Sequence, residues 1–328
     1  MEELINHSPL FLVILLLIVG FVLLIKGADY FVEGSSSIAK RFQVPSLIIG
    51  LTIVAMGTSL PETAVSVTAS LVGNNELAIG NAIGSNIFNL MIVIGICACL
   101  NVIPVSQDTI RSDIPFSAIC AILLLALGYL GIGDRDKMIL GHLDGILFLL
   151  IFILFIISLI RRALKARQAG QAVEEEEIVE ISMIKSILFI LLGAAAIAIG
   201  GDLTVDSASR IAIDLGMSQT LVGLTIVSVG TSLPELVTSF VAARKNEIGM
   251  ALGNAIGSNI FNILMVLGVA SAISPIPLIM ENIIDITVLL VFTLIVWLFA
   301  YTKNRISRRE GIVMIALYLA YLAYIIIR

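Results

Sequence analysis

Apolar residues in this chain fall in long runs, with polar positions confined to short gaps and to a few repeated blocks. Crossing a bilayer takes roughly twenty consecutive apolar residues in a helix. Ten stretches approach that length: 9–28, 45–72, 77–100, 114–132, 138–160, 184–201, 218–243, 248–273, 283–301 and 310–327. The pattern predicts an all-α polytopic membrane protein with ten transmembrane helices. The first and sixth should run on as longer, tilted helices, because residues 30–41 and 204–215 continue the helical pattern without a breaker. Met1-Glu2-Glu3 carries acid where a secretory leader would carry base, so the first run is read as a retained span.

Polar positions reveal an internal repeat. Residues 50–62, GLTIVAMGTSLPE, return at 223–235 with two differences in thirteen, and Gly80-Asn81-Ala82-Ile83-Gly84-Ser85-Asn86-Ile87-Phe88-Asn89 returns unchanged at 253–262. Both blocks are displaced by 173 residues, as are Asp29 and Asp202. The apolar filler between them, 63–79 against 236–252, matches at only three of seventeen positions, so hydrophobic composition alone does not explain the likeness. Five predicted spans per copy is an odd number, and the second copy therefore enters the membrane from the opposite side. The chain divides into a first five-helix repeat (1–162), an acidic linker (163–183) and a second, inverted repeat (184–328). Inverted repeats are the architecture of secondary transporters, whose ions bind near the midplane between the halves.

Composition agrees with a membrane chain: of 328 residues, 59% are hydrophobic and 13% charged, which excludes a soluble globule. The formal net charge of −5 has the wrong sign for binding nucleic acid. With the N-terminus outside, fourteen Lys and Arg fall in cytoplasmic loops and four outside, so both termini are expected outside and the linker, with its run Glu174–Glu177, in the cytoplasm. Cys97, Cys99 and Cys120 lie in apolar runs and are read as small apolar side chains.

The repeated blocks carry the chemistry. Pro61 and Pro234 lack a backbone donor and should break their helices near Gly57 and Gly230, freeing carbonyls at membrane depth. Beside each break stands a carboxylate, Glu62 or Glu235, and an acid inside a span points to function. Thr58, Glu62 and Ser66 share a helix face, as do Asn81, Ser85 and Asn89; Thr231, Glu235, Ser239 and Asn254, Ser258, Asn262 repeat both sets. Together they form a ring of hard oxygens suited to Ca²⁺, with two carboxylates to balance one such ion. Monovalent ions or protons could neutralise the same pair, and a site accepting either set but not both is the minimum for antiport. The soft ligands of zinc or copper are missing, and His7 and His142 sit at span ends. Gly80, Gly84, Gly253 and Gly257 read as packing notches, Asn86 and Asn259 as interhelical glue, Ser66 and Ser239 chiefly as hydroxyls bonding their own backbone, and Lys26 with Asp29 as a mutually neutralising pair.

GTSLPE followed by GNAIGSNIFN, twice and in inverted halves, resembles the two alpha-repeats of sodium/calcium exchangers in the cation/calcium antiporter superfamily. That resemblance implies ten helices, with the second, third, seventh and eighth around the ions and the long first and sixth sliding past them. It implies Ca²⁺ ligation by Glu62 and Glu235, and oxygens, mainly for Na⁺, from Thr58, Ser59, Thr231, Ser232, Ser85 and Ser258. Ala55 and Ser228 would offer backbone carbonyls, and Asn89 and Asn262 would complete the ring; some relatives, including potassium-dependent ones, carry Asp where Asn262 stands. The expected function is exchange of Ca²⁺ for Na⁺ in the cytoplasmic membrane of a prokaryote, with inorganic cations and the bilayer as partners, no obligate protein partner, no cofactor and no enzymatic activity. A Ca²⁺/H⁺ antiporter, or more distantly a cation channel, is the alternative.

Overall fold

The computed structural model describes Ile5 and residues 8–130, 138–168, 181–217, 226 and 228–327. The elements are α1 (Leu10–Phe42), α2a (Ser46–Thr58), α2b (Leu60–Leu71), α3 (Asn75–Leu100), α4 (Thr109–Tyr129), α5 (His142–Gln168), α6 (Met183–Asp214), α7a (Ser228–Gly230), α7b (Leu233–Arg244), α8 (Ile248–Ile273), α9 (Met280–Lys303) and α10 (Arg308–Ile327). Among the described residues eight helices are long and apolar enough to cross a bilayer, or nine when the bent pair α2a–α2b counts as one span. The protein is an all-helical membrane protein. The predicted seventh span, 218–243, starts outside the described residues and enters them as α7a and α7b. Arg135, Lys137, His7, Arg328 and the run Glu174–Glu177 also lie outside them.

Burial sorts the helices into a centre and a rim. In α3 and α8 the most apolar stretches are 72% and 78% buried, against 22% in α1 and α6 and 17% in α10. An apolar helix gains nothing from leaving lipid, so what draws α8 inward is close packing and polar pairing. Gly253 lets α8 meet α2a backbone to backbone, because a Cβ there would collide with the Leu47 carbonyl. The notch reading holds for Gly253 and for Gly257, which faces Leu51 and Ala55, whereas Gly80 has no described atom within 4 Å of its Cβ position.

As the sequence predicts, α1 and α6 are long, and they lie against one another antiparallel: Gly20 meets Gly200, Gly27 meets Gly193 and Gly34 meets Ser186. Two short antiparallel strand pairs tie the loops of the halves together, β1 (Ile103–Pro104) with β4 (Arg305–Ile306) and β2 (Ile139–Leu140) with β3 (Ile276–Pro277).

Candidate cation site

Both proline breaks are present, displaced from the expected positions. The chain turns at Ser59 (φ −85°, ψ 12°) and bends by 49° between α2a and α2b; the second copy turns at Thr231 and Ser232 (φ −94°, ψ 5° at Ser232). Proline fits the first turn of a helix, where its missing N–H would have no acceptor, so each helix restarts just ahead of its proline. Glu62 and Glu235 consequently lie in first turns, where free N–H groups and the helix dipole favour a carboxylate.

Hydrogen bonds then cross between the copies in matching pairs. Ser59 Oγ donates to Glu235 Oε1 at 2.8 Å and Ser232 Oγ to Glu62 Oε1 at 3.5 Å. Thr58 Oγ1 donates to Asn254 Oδ1 and Thr231 Oγ1 to Asn81 Oδ1, both at 3.0 Å. Ser258 Oγ adds a donor to Glu235 at 3.4 Å. The Ser59 and Ser232 bonds draw the Glu62 and Glu235 carboxyl groups into one buried site, where two carboxylates are favourable only with a shared cation or proton.

Thr58, Ser59, Glu62, Ser85, Asn89, Ser232, Glu235, Ser258 and Asn262 are all buried, with Thr231 half-buried. Glu62 Oε2, Glu235 Oε2, Ser85 Oγ, Asn89 Oδ1 and Asn262 Oδ1 have no hydrogen-bond partner among the described residues. Leaving such oxygens unsatisfied costs about 1–3 kcal/mol each, and hard oxygens are what a Group 1 or Group 2 cation coordinates. Asn89 and Asn262 each open a wide π-type turn, Asn89–Val93 and Asn262–Val266, which re-aims the side chains at that level. The Ala55 carbonyl is less free than expected, since Ser59 N donates to it at 3.1 Å. Ser228 sits in α7a, and its side chain lies outside the described residues.

The sequence profile of the sodium/calcium exchanger protein family matches residues 12–161 and 185–327. The chain belongs to the sodium/calcium exchanger family. It is 39% identical to CaxA of Alkalimonas amylolytica, over 93% of this chain and 95% of that one. It is 35% identical to the sodium/calcium exchanger MaX1 of Methanosarcina acetivorans, over 94% and 97%. Among solved structures, the sodium-calcium exchanger NCX_Mj soaked with Na⁺ and Sr²⁺ superposes with a TM-score of 0.82 at 34% identity, over 96% of this chain and 99% of that one. This is a prokaryotic-type exchanger fold.

Some polar residues of this family member do other work than their spacing suggested. Ser66 and Ser239 do not simply bond their own helices: Asn81 Nδ2 donates to Ser66 Oγ at 3.0 Å and Asn254 Nδ2 to Ser239 Oγ at 2.9 Å. The same amides reach the Glu62 and Glu235 carbonyls at 3.3 Å, so Asn81 and Asn254 bracket the broken helices. Their i, i+4 spacing from Ser85 and Ser258 marked a shared face, but nothing in the sequence separated bracket from ligand. Asn86 and Asn259 are interhelical glue, each donating from Nδ2 to the other's carbonyl, at 3.1 and 3.0 Å. Asp29 is shared between Lys26 (3.9 Å) and Lys245 (3.6 Å), whereas Asp202 lines a cavity of about 620 Å³ with Pro61, Ala64 and Thr68.

Proposed function

We propose that this protein is a secondary antiporter exchanging Ca²⁺ for Na⁺ by alternating access. Its ten spans form two inverted five-helix repeats, 1–162 and 184–328, joined by a cytoplasmic linker at 163–183, with both termini outside the cytoplasmic membrane. The reading is carried by one buried carboxylate from each repeat, Glu62 and Glu235, each bonded by a serine of the other repeat and each with one oxygen lacking a partner among the described residues. In it Glu62 and Glu235 ligate Ca²⁺ together with Asn89 and Asn262. Thr58, Ser59, Ser85, Thr231, Ser232 and Ser258 serve Na⁺ with the carbonyls of Ala55 and Ser228. Competition follows from charge, since a pair of carboxylates is neutralised either by one divalent ion or by monovalent ions, and both sets together would be repelled. Membership of the exchanger family and the likeness to NCX_Mj support calcium/cation antiport. The cavity beside Pro61, with Asp202 in its wall, supports an approach for cations between α2b and α6.

The test is Ca²⁺ uptake into proteoliposomes containing the full chain, driven by an outward Na⁺ gradient and then by a pH gradient. Uptake that follows Na⁺ alone is expected. Uptake that follows the pH gradient would replace Na⁺ by H⁺, and steady flux without either gradient would mark a channel.

A further inference from the structure

The two repeats differ in how their long helix meets the other repeat's broken one. Between α2b and α6 lies the cavity of about 620 Å³, walled by Val65, Thr68 and Val72 on one side and by Ala198 and Asp202 on the other. The 173-residue offset places the corresponding seam between α7b and α1, with Thr238, Val241 and Lys245 against Ile25 and Asp29. There the two helices pack together. Thr238 and Val241 are buried, whereas their counterparts Val65 and Thr68 are half-buried and exposed. Thr238 Oγ1 has no partner among the described residues, a polar group shut into the seam. One seam is open and its counterpart is closed.

A pair of lysines marks the closed seam. Lys245, the residue after α7b, holds Asp29 of α1 twice: its Nζ lies 3.6 Å from Oδ1 and donates to the Asp29 carbonyl at 2.9 Å. Lys26 stands 3.9 Å from Oδ2. At the corresponding places beside Asp202 stand Val72 and Ile199, so the repeat keeps the carboxylate and not its bases. Lys26 belongs to α1 itself, which leaves Lys245 as the cation that ties α1 to α7b. Because α1 and α6 are packed together along their glycines, movement of α6 onto α2b would draw α1 off α7b and break the Lys245 contacts.

We propose that Lys245 is a latch: bound to Asp29, it holds α1 on α7b and biases the protein toward the state in which the Asp202 cavity is open. The latch rests on the alternating-access reading above, and adds to it a positioning residue that sets the resting preference between the two states. An exposed ion pair contributes little to one fixed structure, but the same small energy acts directly on an equilibrium between two states when only one of them contains the pair.

The experiment compares how fast a charged thiosulfonate reagent labels Thr238→Cys, in the closed seam, and Val65→Cys, in the open cavity. The full chain, with Cys97, Cys99 and Cys120 replaced by alanine, is held in lipid nanodiscs so that the reagent reaches both faces. With Lys245 in place, Val65→Cys should react and Thr238→Cys should be protected. Lys245→Gln should raise the Thr238→Cys rate roughly two- to five-fold, the span of an exposed ion pair, without raising the Val65→Cys rate. Lys245→Arg, which keeps the charge, should leave Thr238→Cys protected. Adding Asp29→Asn to Lys245→Gln should accelerate labelling no further, since the two residues act as one pair. No acceleration by Lys245→Gln, equal acceleration at both positions, an equal effect of Lys245→Arg, or a further rise in the double variant would each overturn the latch and leave alternating access standing. Rapid labelling of both positions while Lys245 is present would overturn alternating access itself, and the latch with it.

Discussion

At the scale of single residues, the site is a balance of charge. Glu62 and Glu235 each accept from a serine of the other repeat through Oε1 and keep Oε2 without a partner among the described residues. Glu62→Gln or Glu235→Gln keeps the shape and removes one of two charges, and charge count sets affinity in Ca²⁺ sites. Either variant should lower Ca²⁺ affinity at least ~10-fold and abolish uptake in proteoliposomes; normal uptake by both would remove these residues from the ion path. Asn262 tests the same balance from the other direction. Its Nδ2 donates to Asn86 Oδ1 at 3.1 Å and its Oδ1 has no partner among the described residues, so the neutral amide adds an oxygen without charge. Exchange by the wild type should be unchanged when K⁺ is replaced by an inert cation. Asn262→Asp adds a third buried carboxylate that must be neutralised by a proton or another cation, so uptake by this variant should become dependent on pH or K⁺.

At the scale of elements, the helix breaks and the glycine contact decide where these residues stand. The bend at Ser59 turns α2b so that Glu62 begins a new helix instead of continuing an old one. The contact of α2a with α8 holds the two repeats at backbone distance through Gly253. Gly253→Ala would drive its Cβ into the Leu47 carbonyl, and neither backbone can withdraw without disturbing the Thr58–Asn254 bond. Overpacking of this kind costs about 1–3 kcal/mol. A fall in the thermal unfolding midpoint of the solubilised protein is expected, accompanied by loss of Ca²⁺ affinity; an unchanged midpoint would show that α8 can move away freely. The wide turns at Asn89 and Asn262 had no signal in the sequence, because an i→i+5 turn has the same apolar pattern as the helix around it.

At the scale of the whole molecule, the exchange cycle should be electrical. Three Na⁺ leaving for one Ca²⁺ entering would move one positive charge outward per turn. A charge crossing the full membrane potential is worth about 2.3 kcal/mol per 100 mV. An inside-positive potential, clamped with K⁺ and valinomycin, should therefore speed Na⁺-driven Ca²⁺ uptake, and uptake indifferent to the clamp would indicate two-for-one exchange. The tight antiparallel contact of α1 with α6, from Gly20 to Gly34, makes those two long helices a single unit beside the buried pair α3 and α8.

Much of this was legible in the sequence because the bilayer imposes its own code. Span length follows from membrane thickness, and a carboxylate inside a span is too costly to be incidental. The 173-residue repeat paired Glu62 with Glu235 before any contact was known. Only tertiary structure decided which neighbours the polar side chains took. Asn81 and Asn86 stand five residues apart in the same block, yet one brackets a broken helix and the other binds the backbone of its own copy in the second repeat. The β1–β4 and β2–β3 clasps, and the Asp113–Arg162 fork, were equally hidden. Apolar patterning distinguishes membrane from water, but it says little about which helix faces which, because lipid and helix surface are almost equally apolar. That choice falls to small residues and to hydrogen bonds whose partners lie anywhere from 15 to more than a hundred residues away.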